Sequence, residues 1–135
     1  MLKKLKSLFE KKDRFAKLLG FEIVDIQAGY AKVEVDVRDE YLNGADVIHG
    51  GFLFSLADYA FAIASNSKNN LSLSINSNIT FHKAISSGKI YAIAQEIKDG
   101  KNVASCEVKI YDDKENLLAT FVGTVFRKGI KLVNE

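Results

Sequence analysis

The sequence predicts one α+β domain over residues 1–135, a long antiparallel sheet curled around a single central helix, with a short basic helix ahead of it over 1–20. Three observations carry that prediction. Six segments have strand character, and the clearest of them alternate apolar and polar residues with the period of two that puts one face in a core and the other in water. One segment of eighteen residues, Gly50 to Ser67, holds a single charged side chain, Asp58. That segment lies between two of the strands and the other four, so one helix must serve the whole sheet.

Composition agrees. Hydrophobic residues make up 47% and charged residues 27%, the balance of a folded domain. Proline is absent, which leaves the turns to Gly, Asn and Asp. No linker, repeat or low-complexity tract divides the chain. The net charge of +2 is too small to argue for nucleic acid. Cys106 alone cannot make a disulfide framework, and His49 and His82 are the only histidines, so no metal site is expected.

The elements follow in order. Residues 1–20 carry seven basic and two acidic side chains and read as a short helix ending near Gly20, its lysines solvated. Such a basic amphipathic helix is also the kind that touches anionic membranes. It lacks the apolar run and cleavage site of a secretory signal, and no stretch is long and apolar enough to span a bilayer. The expected location is cytoplasmic.

Residues 21–28 are rich in Phe, Ile and Val. Residues 30–38 set Ala31, Val33, Val35 and Val37 against Lys32, Glu34, Asp36 and Arg38, with Gly29 as the turn between the two strands. Residues 71–82 place Leu71, Leu73, Ile75, Ile79 and Phe81 on one side and Ser72, Ser74, Asn76, Asn78 and Thr80 on the other. Ser86-Ser87-Gly88 turns into 89–98, Asp99-Gly100 into 103–111, and the polar run from Asp112 into 117–127. The second half therefore reads as a four-stranded meander. The central helix is apolar on every face, so it is expected to be buried on every face. Cys106 alternates with Ala104, Val108 and Ile110 and reads as core.

Asp58 is the chemical anomaly. Asp is a poor residue for a helix interior, and a carboxylate without partners is costly to bury. It is either a base or nucleophile in a shielded site or a structural acid tied up by other groups. At the start of the same helix, His49-Gly50-Gly51 offers close backbone approach and unpaired N–H groups of the kind that polarise a carbonyl; a tight loop entering a helix needs the same glycines. The eight positions from Gly50 to Asp58 span about 12 Å along a helix. A reacting group must come within roughly 3–3.5 Å of its target. One helix cannot bring both groups to one carbonyl. If both act, Asp58 comes from a second copy of the chain, and the protein is a homodimer.

The segment Leu42-Asn43-Gly44, then His49-Gly50-Gly51, Phe54-Ser55-Leu56-Ala57-Asp58-Tyr59-Ala60-Phe61-Ala62 and Ser65-Asn66-Ser67 closely resembles the PaaI-type thioesterases of the hotdog-fold acyl-CoA thioesterase superfamily. The likeness spans roughly residues 13–128. It implies a hotdog fold, hydrolysis of acyl-CoA thioesters, often aryl-acetyl ones, and assembly as a dimer or a dimer of dimers. It implies roles as well. Asp58 matches the catalytic carboxylate and Gly50 the glycine whose amide polarises the thioester carbonyl. Asn43 and His49 match positions near the reacting centre, where His49 either meets the thioester or braces the loop. Gly51 and Phe54 fall beside them as substrate-binding candidates, although Phe54, like Tyr59 and Phe61, also suits packing between helix and sheet.

Phe81-His82-Lys83-Ala84 departs from the family pattern, in which a proline follows the basic residue. Lys83 keeps the charge and is a candidate for a coenzyme A phosphate. No cofactor is implied, since coenzyme A belongs to the substrate. The competing readings are a non-catalytic acyl-CoA binding or sensing module and an acyl-thioester hydratase or dehydratase. The second is weakened because the helix offers Asp58 without a histidine.

Overall fold

The computed structural model describes residues 1–135. Two short helices open the chain, α1 (Leu2–Lys12) and α2 (Arg14–Leu18). Strands β1 (Glu22–Gln27) and β2 (Tyr30–Asp36) follow, then the central helix α3 (Gly50–Asn66). Strands β3 (Ser72–Phe81), β4 (Lys89–Asp99), β5 (Val103–Asp112) and β6 (Leu117–Arg127) complete the fold. The expected single helix over 1–20 is divided at Asp13, whose side chain accepts the Ala16 N–H at 3.0 Å and so caps α2. α1 is docked on the body by Leu5, which is fully buried.

All six strands form one antiparallel sheet in the order β1-β2-β4-β5-β6-β3. The meander expected of the second half is therefore only three strands long. β3 does not pair with β4; it pairs with β6 at the far edge, and β4 joins β2. The reason lies in residues 82–88. This link is longer than a tight hairpin loop. Ser86-Ser87-Gly88 does not close a hairpin: the carbonyls of Ile85 and Gly88 accept the N–H groups of Ile48 and Val37, each at 2.8 Å. The link is thus held against the loop that enters α3 as it crosses from the sheet edge to its middle.

A second correction concerns the faces of β3. A bulge between Ser74 and Asn76 inserts Ile75 and changes the phase of the strand. Leu73 stands beside Phe126 on the outer face, whereas Ile79 and Phe81 fall on the helix face, Ile79 opposite Phe121. The apolar residues of β3 do not form one buried row. Leu73, Ile75 and Phe81 are all more than half exposed along an unpaired edge.

α3 lies in the concave face of the sheet. Leu56, Ala57, Ala60 and Ala64 are fully buried, and Phe61 packs against Phe121. The sheet meets the helix with small residues: Ala31, Ala92, Ala94 and Ala104, and Gly123, where a Cβ would sit 2.6 Å from the Phe61 ring. Cys106 is in this core as expected. The helix is not covered on every side. Gly51, Ser55, Asp58 and Ala62, spaced four, three and four apart, form one stripe that the chain leaves partly open.

At the far end of α3, four charged side chains tie three segments together. Arg127 meets Glu96 at 3.0 Å with both side chains nearly buried, and Lys68 meets Glu96 and Asp99 at 2.7 Å each. Arg127 also pairs with Asp99.

Candidate active site

The loop before α3 is fixed from both sides. The Tyr41 ring stacks on Phe52 at 4.1 Å, and its hydroxyl donates to the Leu19 carbonyl at 2.6 Å. Asn43 closes a turn within this loop. Its side-chain oxygen accepts the N–H groups of Ala45 and Val47, and its backbone N–H donates to Val47 at 2.8 Å. The amide nitrogen of the Asn43 side chain makes no hydrogen bond within the chain.

His49 is the N-cap of α3, and its Nδ1 accepts the Gly51 N–H at 2.8 Å. The ring nitrogen that accepts is unprotonated, so in the neutral ring Nε2 carries the proton. Gly50 has no such partner. As the first residue of the helix its N–H has no intrahelical acceptor, and no side chain caps it. Phe81 packs over this point so closely that a Cβ on Gly50 would lie 3.1 Å from its ring. The result is an open donor at the positive end of a seventeen-residue helix, beside an aromatic wall.

Asp58 lies two turns along the same helix on the uncovered stripe. It makes no hydrogen bond and no ion pair within the chain. Burial raises its pKa above the ordinary 3.8, and the nearby charge of Asp13 pushes in the same direction. This is the environment of a carboxylate that can take a proton, not of one locked by structural partners.

Within one chain the predicted residues do not all come together. Asn43, His49, Gly50 and Gly51 gather at the N-terminus of α3. Lys83, two residues beyond Phe81, is exposed and lies in a polar cleft with Asp112 and Asp113. Asp58 is brought to none of them within one chain. Phe54 packs edge-on against Phe121 at 5.5 Å, between helix and sheet. His82 contacts Thr120 at 2.9 Å and His49 holds Gly51, so within one chain neither histidine pairs with Asp58.

The family model of the thioesterase superfamily matches residues 45–119, more than half of the chain and the whole of α3. The chain belongs to the thioesterase superfamily. It is a thioester hydrolase with the hotdog fold. A protein of Archaeoglobus fulgidus is 42% identical to it over 128 residues, which cover 94% of this chain and 83% of that one. The acyl-coenzyme A thioesterase PaaI of Escherichia coli is 35% identical over 124 residues, covering 91% and 89%. The structure of E. coli PaaI superimposes with a TM-score of 0.93 at 31% identity, covering 96% of this chain and 95% of that one.

Two residues beside the candidate site, Asp13 and Phe81, are not marked by the sequence. Asp13 reads there as one more acid in a basic helix, and only the docking of α2 brings it near Asp58. Phe81 reads as a core position of β3. Its exposed place over Gly50 follows from the bulge at Ile75 and from β3 being the sheet edge. The Gly-Gly pair is the one sequence signal that something approaches the backbone there. No helix of the thioesterase is long and apolar enough to cross a membrane.

Proposed function

We propose that this thioesterase hydrolyses an acyl-CoA thioester, aryl-acetyl thioesters among them, to the free acid and coenzyme A, at a site shared by two copies of the chain. The observation that carries the reading is the pairing of an unpartnered Asp58 with an open Gly50 N–H that the same helix holds on the order of 12 Å away. The E. coli relative acts on acyl-coenzyme A and is similar over nine-tenths of the chain, which supports the substrate class.

In this mechanism the thioester carbonyl oxygen accepts the Gly50 N–H, and the helix N-terminus stabilises the charge that develops on it. Asp58 of the partner subunit either removes a proton from a water that attacks the carbonyl carbon, or attacks that carbon itself to form a mixed anhydride that water then hydrolyses to the free acid and Asp58. The thiolate of coenzyme A leaves. The Asn43 side-chain amide and the His49 Nε2–H orient water or substrate, and Lys83 meets a coenzyme A phosphate. No cofactor takes part. The reaction belongs in the cytoplasm.

The edge of β3 supports the second copy. The outer edge of this ten-residue strand is unpaired, and with exposed Leu73, Ile75 and Phe81 it is a template for pairing with another chain. Antiparallel pairing of two β3 edges around a two-fold axis joins the sheets and sets the two α3 helices side by side, giving two equal sites; a dimer of dimers would repeat them.

The test is Asp58→Ala and Asp58→Asn on a panel of acyl-CoAs, with the solution mass measured by light scattering. Loss of a general base removes about 10²–10⁴-fold, so hydrolysis that survives within about tenfold overturns the assignment. A monomer with full activity overturns the shared site. Single turnover in heavy-oxygen water reads the route: label in Asp58 marks nucleophilic attack.

A further inference from the structure

Gly50 and Asp58 fix more than their own roles. In the proposed shared site the Gly50 N–H of one copy and the Asp58 carboxylate of the other meet at one carbonyl, so the two α3 helices run antiparallel with position 50 level with position 58. A two-fold axis that relates them passes midway, at position 54. The side of α3 that the chain leaves partly open carries Gly51, Ser55, Asp58 and Ala62. Phe54 is turned to the sheet, where it packs on Phe121. Ser55 is therefore the side chain of the open side that lies nearest the axis, and each copy brings one.

Strand β3 gives the same axis independently. Its Phe81 end lies over Gly50 and its Ser72 end bonds to Asn66, so β3 runs antiparallel to α3. The level of position 54 falls about a quarter of the way from Phe81 toward Ser72, near Asn78. Pairing of two β3 edges centred on Asn78 joins residues 75–81 of each strand and sets exposed Ile75 level with the partner's exposed Phe81. The unpaired edge and the open helix side call for one arrangement.

Ser55 is built for close contact. Its Oγ donates to the Gly51 carbonyl at 2.7 Å, folded back on its own helix. It offers a neighbour a small surface with no donor in search of a partner. Packed helices stand about 8–10 Å apart, at the lower end where the side chains in contact are small. That spacing bears on the chemistry, because a reacting group must stand within roughly 3–3.5 Å of its target.

We propose that Ser55 is a positioning residue at the two-fold axis: the Ser55 side chains of the two copies meet there and set the distance between the α3 helices, and with it the distance from each Gly50 N–H to the partner's Asp58. The proposal rests on the shared-site reading above and adds the residue that keeps the two halves of each site in range. Ser55 acts through its size, not through its hydroxyl.

The experiment is oxidative cross-linking of Ser55→Cys in the full chain, with Ala62→Cys as the control. Cys106 is fully buried and gives no background. Across the axis the two residues 55 are offset by about 3 Å along the helices and the two residues 62 by about 24 Å. A disulfide needs Cα atoms about 4.4–6.8 Å apart. The expected result is a covalent dimer for Ser55→Cys and none for Ala62→Cys. Kinetics supply the second measurement. Ser55→Leu puts bulk between the helices, and a displacement of about 1 Å lowers kcat by about 10²-fold with KM for acyl-CoA little changed. Ser55→Ala, which is as small as serine, does not show this loss. A Ser55→Cys chain that is dimeric by light scattering and hydrolyses acyl-CoA, yet does not cross-link, overturns the proposal and leaves the shared site standing. So does cross-linking of Ala62→Cys in its place, or a Ser55→Leu enzyme with full kcat. A fully active monomer removes both readings.

Discussion

The Nδ1 of His49 accepts the N–H of Gly51 at 2.8 Å, and that one hydrogen bond separates two neighbouring amides. Gly51 is capped; Gly50, one residue earlier, keeps its N–H for a ligand. Two substitutions divide the donor from the bulk. Gly50→Pro removes the N–H at the first helical position, where proline is tolerated and where the extended His49 before it is already compatible. Gly50→Ala adds the same crowding against Phe81 and keeps the N–H. The expected outcome is a loss of about 10²–10³ in kcat for the proline variant, while the alanine variant retains most activity, because the half-exposed Phe81 ring can move aside. Steady-state kinetics with equal circular dichroism spectra check it.

Asp58 is held where its charge is disfavoured, so its removal has opposite effects on rate and stability. Its pKa in the folded chain lies above the ordinary 3.8. Between 3.8 and the raised value the folded state binds more proton than the unfolded one, so stability falls as pH rises through that window and stays lowered above it. Asp58→Asn is expected to abolish most hydrolysis and to gain about 0.5–2 kcal/mol at neutral pH, in the range of other stabilising replacements at functional sites. The gain disappears below the ordinary carboxylate range. Denaturant titrations at pH 7 and in acid read both halves.

Asp13 supplies the second push on Asp58 and also caps α2. Asp13→Asn keeps the cap and removes the charge. The acidic limb of the kcat/KM profile moves to lower pH, with helix content unchanged. Asp13→Ala moves the limb the same way and also loses about 1 kcal/mol of stability with the cap. A limb that stays in place in both variants separates Asp13 from Asp58.

The cluster at the other end of α3 concerns folding alone. Arg127 and Glu96 are nearly buried, so Arg127→Met removes one of the two cations on Glu96 and destabilises the fold, by less than the roughly 3–5 kcal/mol of a buried charge left alone because Lys68 stays at 2.7 Å. Turnover by the folded fraction is unchanged. Lys68 and Arg127 hold the Asp99 pKa down to about 2, so this contribution is present above 3.8 and is lost as the pH falls toward 2. Acid unfolding of wild type against Arg127→Met, followed by tryptophan-independent circular dichroism, checks the sign.

The strands were legible from their alternation, which β2 keeps throughout, and α3 was legible as an eighteen-residue run with a single charge. The helix N-terminus was legible from His49-Gly50-Gly51, and the lone charge in α3 marked Asp58. Pairing was not legible. Nothing in residues 82–88 shows that Ile85 and Gly88 bond to the 37–48 loop instead of closing a hairpin. Ile75 looks like one more alternating residue, although the bulge there turns Leu73 outward. The open side of α3 was hidden for a similar reason: glycine and alanine at 51 and 62 look apolar whether they meet a sheet or lie open. Asp13 and Phe81 needed the third dimension altogether.

The strand order has a consequence for how the chain matures. β3 finds its only in-chain neighbour in β6, which follows it only after β4 and β5. Until residues 117–127 have been made, β3 has no strand in the chain to pair with. Closure must wait for the last strand to slot between β5 and β3, a long-range step of the kind that slows folding. A stall or truncation shortly before Leu117 therefore releases a sticky intermediate with an exposed greasy helix, a natural client for chaperones.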